Sequence, residues 1–252
     1  MVEKHDGDAS EQLNLETDKR VPVFNLPKLL FVLIAALGLI HIVRDVILSV
    51  DEDNWVVFTF AFIPLRYVSD FSQQNYEWLW SPLTYSFLHG SYEHLIFNVL
   101  WLTIFAAPVL RRIGPMRFVL LFIASSAVSA FGYGAVHDWQ MMVLVGASGV
   151  VSAMMGAACR FAFSSSNQRY GRELSHLNPR LSIIDAFRDR TVVFFVAMWL
   201  LGNLLVAFGI PLVGESSGNI AWEAHLFGFA FGFSTFLFFD VRLHNYNDDE
   251  RV

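Results

Sequence analysis

The apolar residues of this chain are gathered into runs nearly as long as a bilayer is thick, with the polar residues between them. Runs approaching about 20 residues read as membrane spans. In hydrocarbon no water satisfies the backbone, so such runs fold as helices. Six runs stand out: Leu29 to Val43 with an extension toward Val50, His94 to Leu110, Phe118 to Val136, Ser148 to Phe163, Thr191 to Ile210, and Glu223 to Phe239. Composition agrees, since only 16% of residues are charged, against about 25% in a soluble domain. The expected fold class is an all-α membrane protein, a six-transmembrane-helix bundle.

The polar segments divide the chain further. Residues 1–26 form a polar tail with neither the apolar core of a secretory signal nor the character of a transit peptide. The first span is then the membrane signal. Residues 27–241 form one membrane domain, whose first loop, 51–92, contains an apolar stretch from Trp55 to Tyr67 broken by Pro64 and Arg66. That stretch is too short to span and is expected to lie in the interface plane. Residues 242–252 form an acidic tail. No internal repeat supports an inverted-repeat transporter, and nothing points to nucleic acid.

Lysine and arginine set the orientation. Arg111, Arg112 and Arg117 follow the second span. Arg160, Arg169, Arg172, Arg180, Arg188 and Arg190 follow the fourth. The opposite loops carry only Arg66. Six spans with both termini cytoplasmic satisfy this pattern. The absence of an organelle-targeting segment favours a bacterial plasma membrane.

On that topology the embedded polar residues fall on one side. His94 and Asn98 open the second span, Ser148 opens the fourth, and His225 lies near the start of the sixth. Polar groups inside spans are costly and usually functional. His94 and Asn98, four apart, share a helix face. Ser148 heads a stripe of small residues, Gly149, Ala153, Gly156 and Ala157, while His225 precedes Gly228 and Gly232. Small residues let membrane helices approach closely. The expectation is a hydroxyl within reach of an imidazole. A serine becomes nucleophilic when such a base takes its proton, and the resulting oxyanion needs fixed donors, here His94, Asn98 and the Ser148 backbone N–H. Glu223 is two residues from His225, so on a helix it points elsewhere.

Each residue also has a plainer reading. Ser148 alone is a helix N-cap between turn glycines. His225 alone packs against a carbonyl, and His94 with Asn98 braces a loop. His89 is read as a loop brace, His41 as packing or interfacial, and Cys159 as a packing residue. The segment from His89 to His94 lacks the spacing that puts two histidines on one helix face, so no metal is expected.

Gly146-Ala147-Ser148-Gly149, the His94–Asn98 pair, and Ala224-His225-Leu226-Phe227-Gly228 with Gly232 resemble the signature of the rhomboid intramembrane serine proteases. The likeness covers about residues 29–240. It implies that Ser148 is the nucleophile, His225 the base, and that His94 and Asn98 line the oxyanion site. It also implies cleavage of single-span membrane proteins near the outer end of their helix, with no metal or cofactor. The oligomeric state is left open. Two positions depart from the pattern: Ser152 stands where many members have a tyrosine packed on the histidine, and Trp80 is followed by Ser81 rather than arginine. The competing reading is a catalytically inactive rhomboid-like protein that binds membrane clients. Residues 194–199 are a candidate lateral gate, and the loop 211–222 a candidate cap over the site.

Overall fold

A computed structural model describes residues 26–164, 174–208, 210 and 221–241. Among them the chain is helical apart from turns and one isolated antiparallel bridge, Phe62 to Leu144. The tails 1–25 and 242–252, and most of the loop 211–222, lie outside the described residues.

Local chemistry explains where most helices begin. α1 (Lys28–Ile42) follows Pro27 and widens into a π turn over Val43–Ile47. α2 (Val50–Phe60) opens with a capping box, in which Ser49 Oγ accepts from Glu52 N–H and the Glu52 carboxylate accepts from Ser49 N–H. α3 (Glu77–Thr84) leads to a buried turn over Tyr85–Phe87. Ser91 caps α4 (Tyr92–Val136) by accepting from His94 N–H. Then come α5 (Ser148–Cys159), the short α6 (Ile183–Arg188) capped by Ser182, α7 (Arg190–Ala207) capped by Asp189, and α8 (Trp222–Phe239).

α4 is two antiparallel arms. Straight, its 45 residues would hold His94 and Ser129 roughly 50 Å apart. Instead, the His94 ring lies against Gly146 and Ser129 lies against Gly149. The reversal is concentrated at Gly114, whose φ of 79° is non-helical and costs glycine little; Pro115 then starts the second arm. The basic segment Arg111–Arg117, expected as a turn between spans, is thus absorbed into the two helix ends.

α5 is the centre of the bundle, with every residue from Gly149 to Cys159 buried. A Cβ on Gly228 would lie 2.0 Å from Gly149 O, and one on Gly232 would lie 1.9 Å from Ala153 O. The backbones of α5 and α8 therefore touch, as the stripe of small residues predicts. α7 sits at the periphery and buries only Val192, Val196 and Asn203.

The far end is tied by arginines. Arg112, 3% exposed, donates to Asp240 Oδ2 at 2.9 Å and to the carbonyls of His176 and Asn178, and stacks over Phe161. Arg160 donates to the carbonyls of Leu181 and Phe233. Both were read from sequence as topology signals alone. Here they are buried braces, because each guanidinium carries enough donors to satisfy several loop carbonyls at once. By length and composition, Lys28–Ile47, Tyr92–Val136 and Arg190–Ala207 can cross a membrane, and α5 is a shorter apolar helix.

Candidate active site

Ser148 is the first residue of α5 and is partly buried. The turn before it exists because Gly146 holds a φ of 118°, a region that L side chains rarely enter. A Cβ there would also fall 2.7 Å from His94 Nε2 and 3.8 Å from Ser148 Oγ. Gly146 therefore leaves the space in which the imidazole sits beside the serine turn. Gly90 N–H points at His94 Nδ1 at 3.5 Å, so Nε2 is the nitrogen that carries the proton and can donate. Asn98 is buried, and its Nδ2 donates one hydrogen to His94 O at 2.8 Å, leaving a second.

His225 lies in the first turn of α8. Its Nδ1 is 2.8 Å from Asn203 Oδ1, and Asn203 Nδ2 donates to Trp199 O at 2.9 Å. The second bond fixes the amide, because only Nδ2 can donate to a carbonyl. Oδ1 therefore faces the imidazole as an acceptor, Nδ1 donates, and the lone pair is on Nε2. Glu223 points away from His225, with Oε1 3.2 Å from His137 Nε2.

The four expected residues gather at one end of the bundle. The first turns of α5 and α8 adjoin: a Cβ on Gly149 would lie 3.4 Å from Ala224 O. No hydrogen bond joins Ser148 Oγ to His225 among the described residues. Catalytic hydrogen bonds are often long before substrate arrives.

Around this core, His89 is buried and accepts from Ala147 N–H at 3.5 Å, while its carbonyl accepts from Arg44. Its imidazole, in the loop before α4, has its pKa pushed down to about 3, first by burial and then by the nearby His94, His41 and Arg44. Arg44 also pairs with Asp53 at 2.7 Å. A polar cavity of about 240 Å³ opens beside His89, lined in part by His41, Arg44, Asp53 and Asn54. His41 packs edge-on against Tyr92. Cys159 is buried. Among the described residues, no group of three or more His, Cys, Asp or Glu side chains is placed to hold a metal.

Sequence reading missed Asn203. Its one signal was being the lone amide in the apolar run Thr191 to Ile210. It also missed Ser129, whose hydroxyl is buried between Gly149 and Gly228.

The rhomboid domain family model matches residues 76–240, more than half of the chain, including His94, Asn98, Ser148, Asn203 and His225. The chain belongs to the rhomboid family. This rhomboid is 28% identical over 153 residues to the rhomboid protease GlpG of Klebsiella pneumoniae, covering 61% of this chain and 46% of that one. It is 28% identical over 189 residues to GlpG of Serratia proteamaculans, covering 73% and 55%. Against GlpG of Haemophilus influenzae the identity is 26% over 168 residues, covering 67% and 73%. The chain spans about half the length of the Klebsiella relative. Family and apolar helices together make this rhomboid an integral membrane protein.

Proposed function

We propose that this rhomboid is an intramembrane serine protease, with Ser148 as nucleophile and His225 as base. The observation that carries the reading is the junction of the α5 and α8 first turns, which brings a serine and an imidazole with a free Nε2 lone pair to one end of the bundle. As Ser148 Oγ attacks a substrate carbonyl carbon, Nε2 takes its proton. The carbonyl electrons move onto oxygen, where His94 Nε2–H, the second Asn98 hydrogen and the Ser148 N–H receive them. Collapse breaks the C–N bond, and the leaving amine takes the proton from His225. Water then attacks the acyl-serine by the same route and frees a carboxylate. Each lost oxyanion donor would slow the reaction about 10²–10³-fold.

The same reading extends to the membrane. α1, the two arms of α4, α5, α7 and α8 are the six crossing helices of one domain, 27–241, with the loop 51–92 in the interface. Both termini are cytoplasmic, since the arginine-rich end is the inner end. α5 has 12 residues and so is about 18 Å long, against about 30 Å of hydrocarbon. With its far end at the inner face, Ser148 lies roughly 10 Å beneath the outer boundary. That depth suits single-span substrates cut near the outer end of their helix, in a bacterial plasma membrane.

The test is cleavage of a single-span substrate by the purified chain in liposomes. Ser148→Ala should lose about 10⁴-fold or more in kcat, with the fold intact by circular dichroism. Undiminished cleavage would reject the assignment. The missing Ser148–His225 hydrogen bond favours one other reading, an inactive rhomboid-like protein that binds membrane clients. A fluorophosphonate separates the two, because only an activated Ser148 takes the covalent label.

A further inference from the structure

We propose that Asn203 is the positioning residue for His225, a third member beside the Ser148–His225 pair; this rests on the Ser148–His225 reading above. Asn203 is 8% exposed and is the one polar side chain that α7 buries. A buried amide on a peripheral apolar helix is costly unless its bonds are made, and both of its ends are engaged. Nδ2 donates to Trp199 O, one turn back, and Oδ1 takes the Nδ1–H of His225.

The contact is registered rather than incidental. Trp199 is four residues before Asn203, and Phe229 is four residues after His225. Their rings stack at 4.7 Å. On two antiparallel helices, 199 against 229 and 203 against 225 are successive rungs of one ladder. The aromatic rung sets the height of α7 against α8, and the polar rung holds the imidazole. Ser152, one turn after Ser148, carries no ring to pack on the histidine, and Glu223 is turned to His137. Asn203, on α7, supplies the orientation through its bond to His225 Nδ1.

The chemical consequence is a chosen tautomer. With Nδ1–H held by an amide oxygen, Nε2 is left as the base, and proton uptake from Ser148 Oγ gives an imidazolium with one hydrogen bond already in place. A neutral partner does this without burying a second charge beside lipid.

The experiment compares wild type, Asn203→Leu and Asn203→Asp in liposomes, by cleavage kinetics, fluorophosphonate labelling rate and thermal midpoint. Leucine keeps the branched shape and removes the acceptor; aspartate keeps the acceptor. We expect Asn203→Leu to lower kcat and labelling rate about 10–10²-fold, with KM within about twofold, and Asn203→Asp to recover most of the loss. If Asn203→Leu labels as fast as wild type, the inference fails while the Ser148 assignment stands. If Asn203→Leu unfolds, the aspartate variant decides, and a fully folded Asn203→Asp that labels about 10-fold or more slower than wild type overturns the role. Equal losses in midpoint and rate with no rescue by aspartate mark packing alone and overturn it too. A wild-type chain that neither labels nor cleaves removes both readings together.

Discussion

The rings of His89 and His94 meet nearly edge to face at 5.0 Å, but the two imidazoles have different surroundings. His94 opens α4 beside Gly146, whereas His89 is 1% exposed and bonded to the backbone just before Ser148. Its pKa of about 3 lies well below the value near 6.5 of an unfolded histidine. Between those values the unfolded chain holds a proton that native His89 refuses. The His89 contribution to stability is therefore complete above about pH 6.5 and falls as pH drops from there toward 3. Thermal midpoints in detergent from pH 7 to 4 should decline more steeply for wild type than for His89→Gln. Equal slopes would show that native His89 protonates as easily as an unfolded one. From sequence this residue was legible as a brace, but its target, the Ala147 N–H 58 positions away, was not.

Among the elements, the contact of α5 with α8 is where the serine and the histidine are brought together. The glycines at 228 and 232 and the small face of α5 were visible as a spacing pattern, and backbone contact is what that pattern predicts. The structure adds the tolerance. A methyl group at 228 would fall 2.0 Å from Gly149 O and 2.8 Å from Ser129 Oγ, so the helices must part to admit it. Gly228→Ala should cost about 1–3 kcal/mol of stability and at least about tenfold in kcat, since a misplacement near 1 Å can cost about 10²-fold. Parallel unfolding and cleavage assays read both effects. Wild-type activity in a folded Gly228→Ala chain would mean that helix spacing does not set the proposed catalytic distance. α7 is a different case. Its apolar run was plain in the sequence, yet its one buried polar residue went unread, because an isolated asparagine carries no periodicity.

Across the whole molecule the polar groups separate by end. The candidate site occupies one end; Arg112, Asp240, Arg160 and the 176–181 segment occupy the other. The Arg112–Asp240 pair closes the bundle by joining the first arm of α4 to the end of α8 across 128 positions. If the arginine end is cytoplasmic, a thiol introduced by Asn75→Cys should react with an impermeant maleimide on intact cells, while a reporter fused after Val252 should be active only in the cytoplasm. The reverse pattern would invert the proposed topology. The lone native thiol, Cys159, is buried and should stay silent in that assay.

By itself the sequence determined the long apolar helices, the gathering of polar residues toward their ends, and the small faces along which α5 and α8 meet. These follow from hydropathy, spacing and charge, which are properties of short windows of chain. Only the tertiary structure decided the partners: Asn203 on His225, Arg112 on Asp240, His89 beneath the serine turn, and the two arms of α4 folded at Gly114. Each depends on the height and rotation at which distant helices seat against one another. That register is set by the packing of the whole bundle, and no single window contains it.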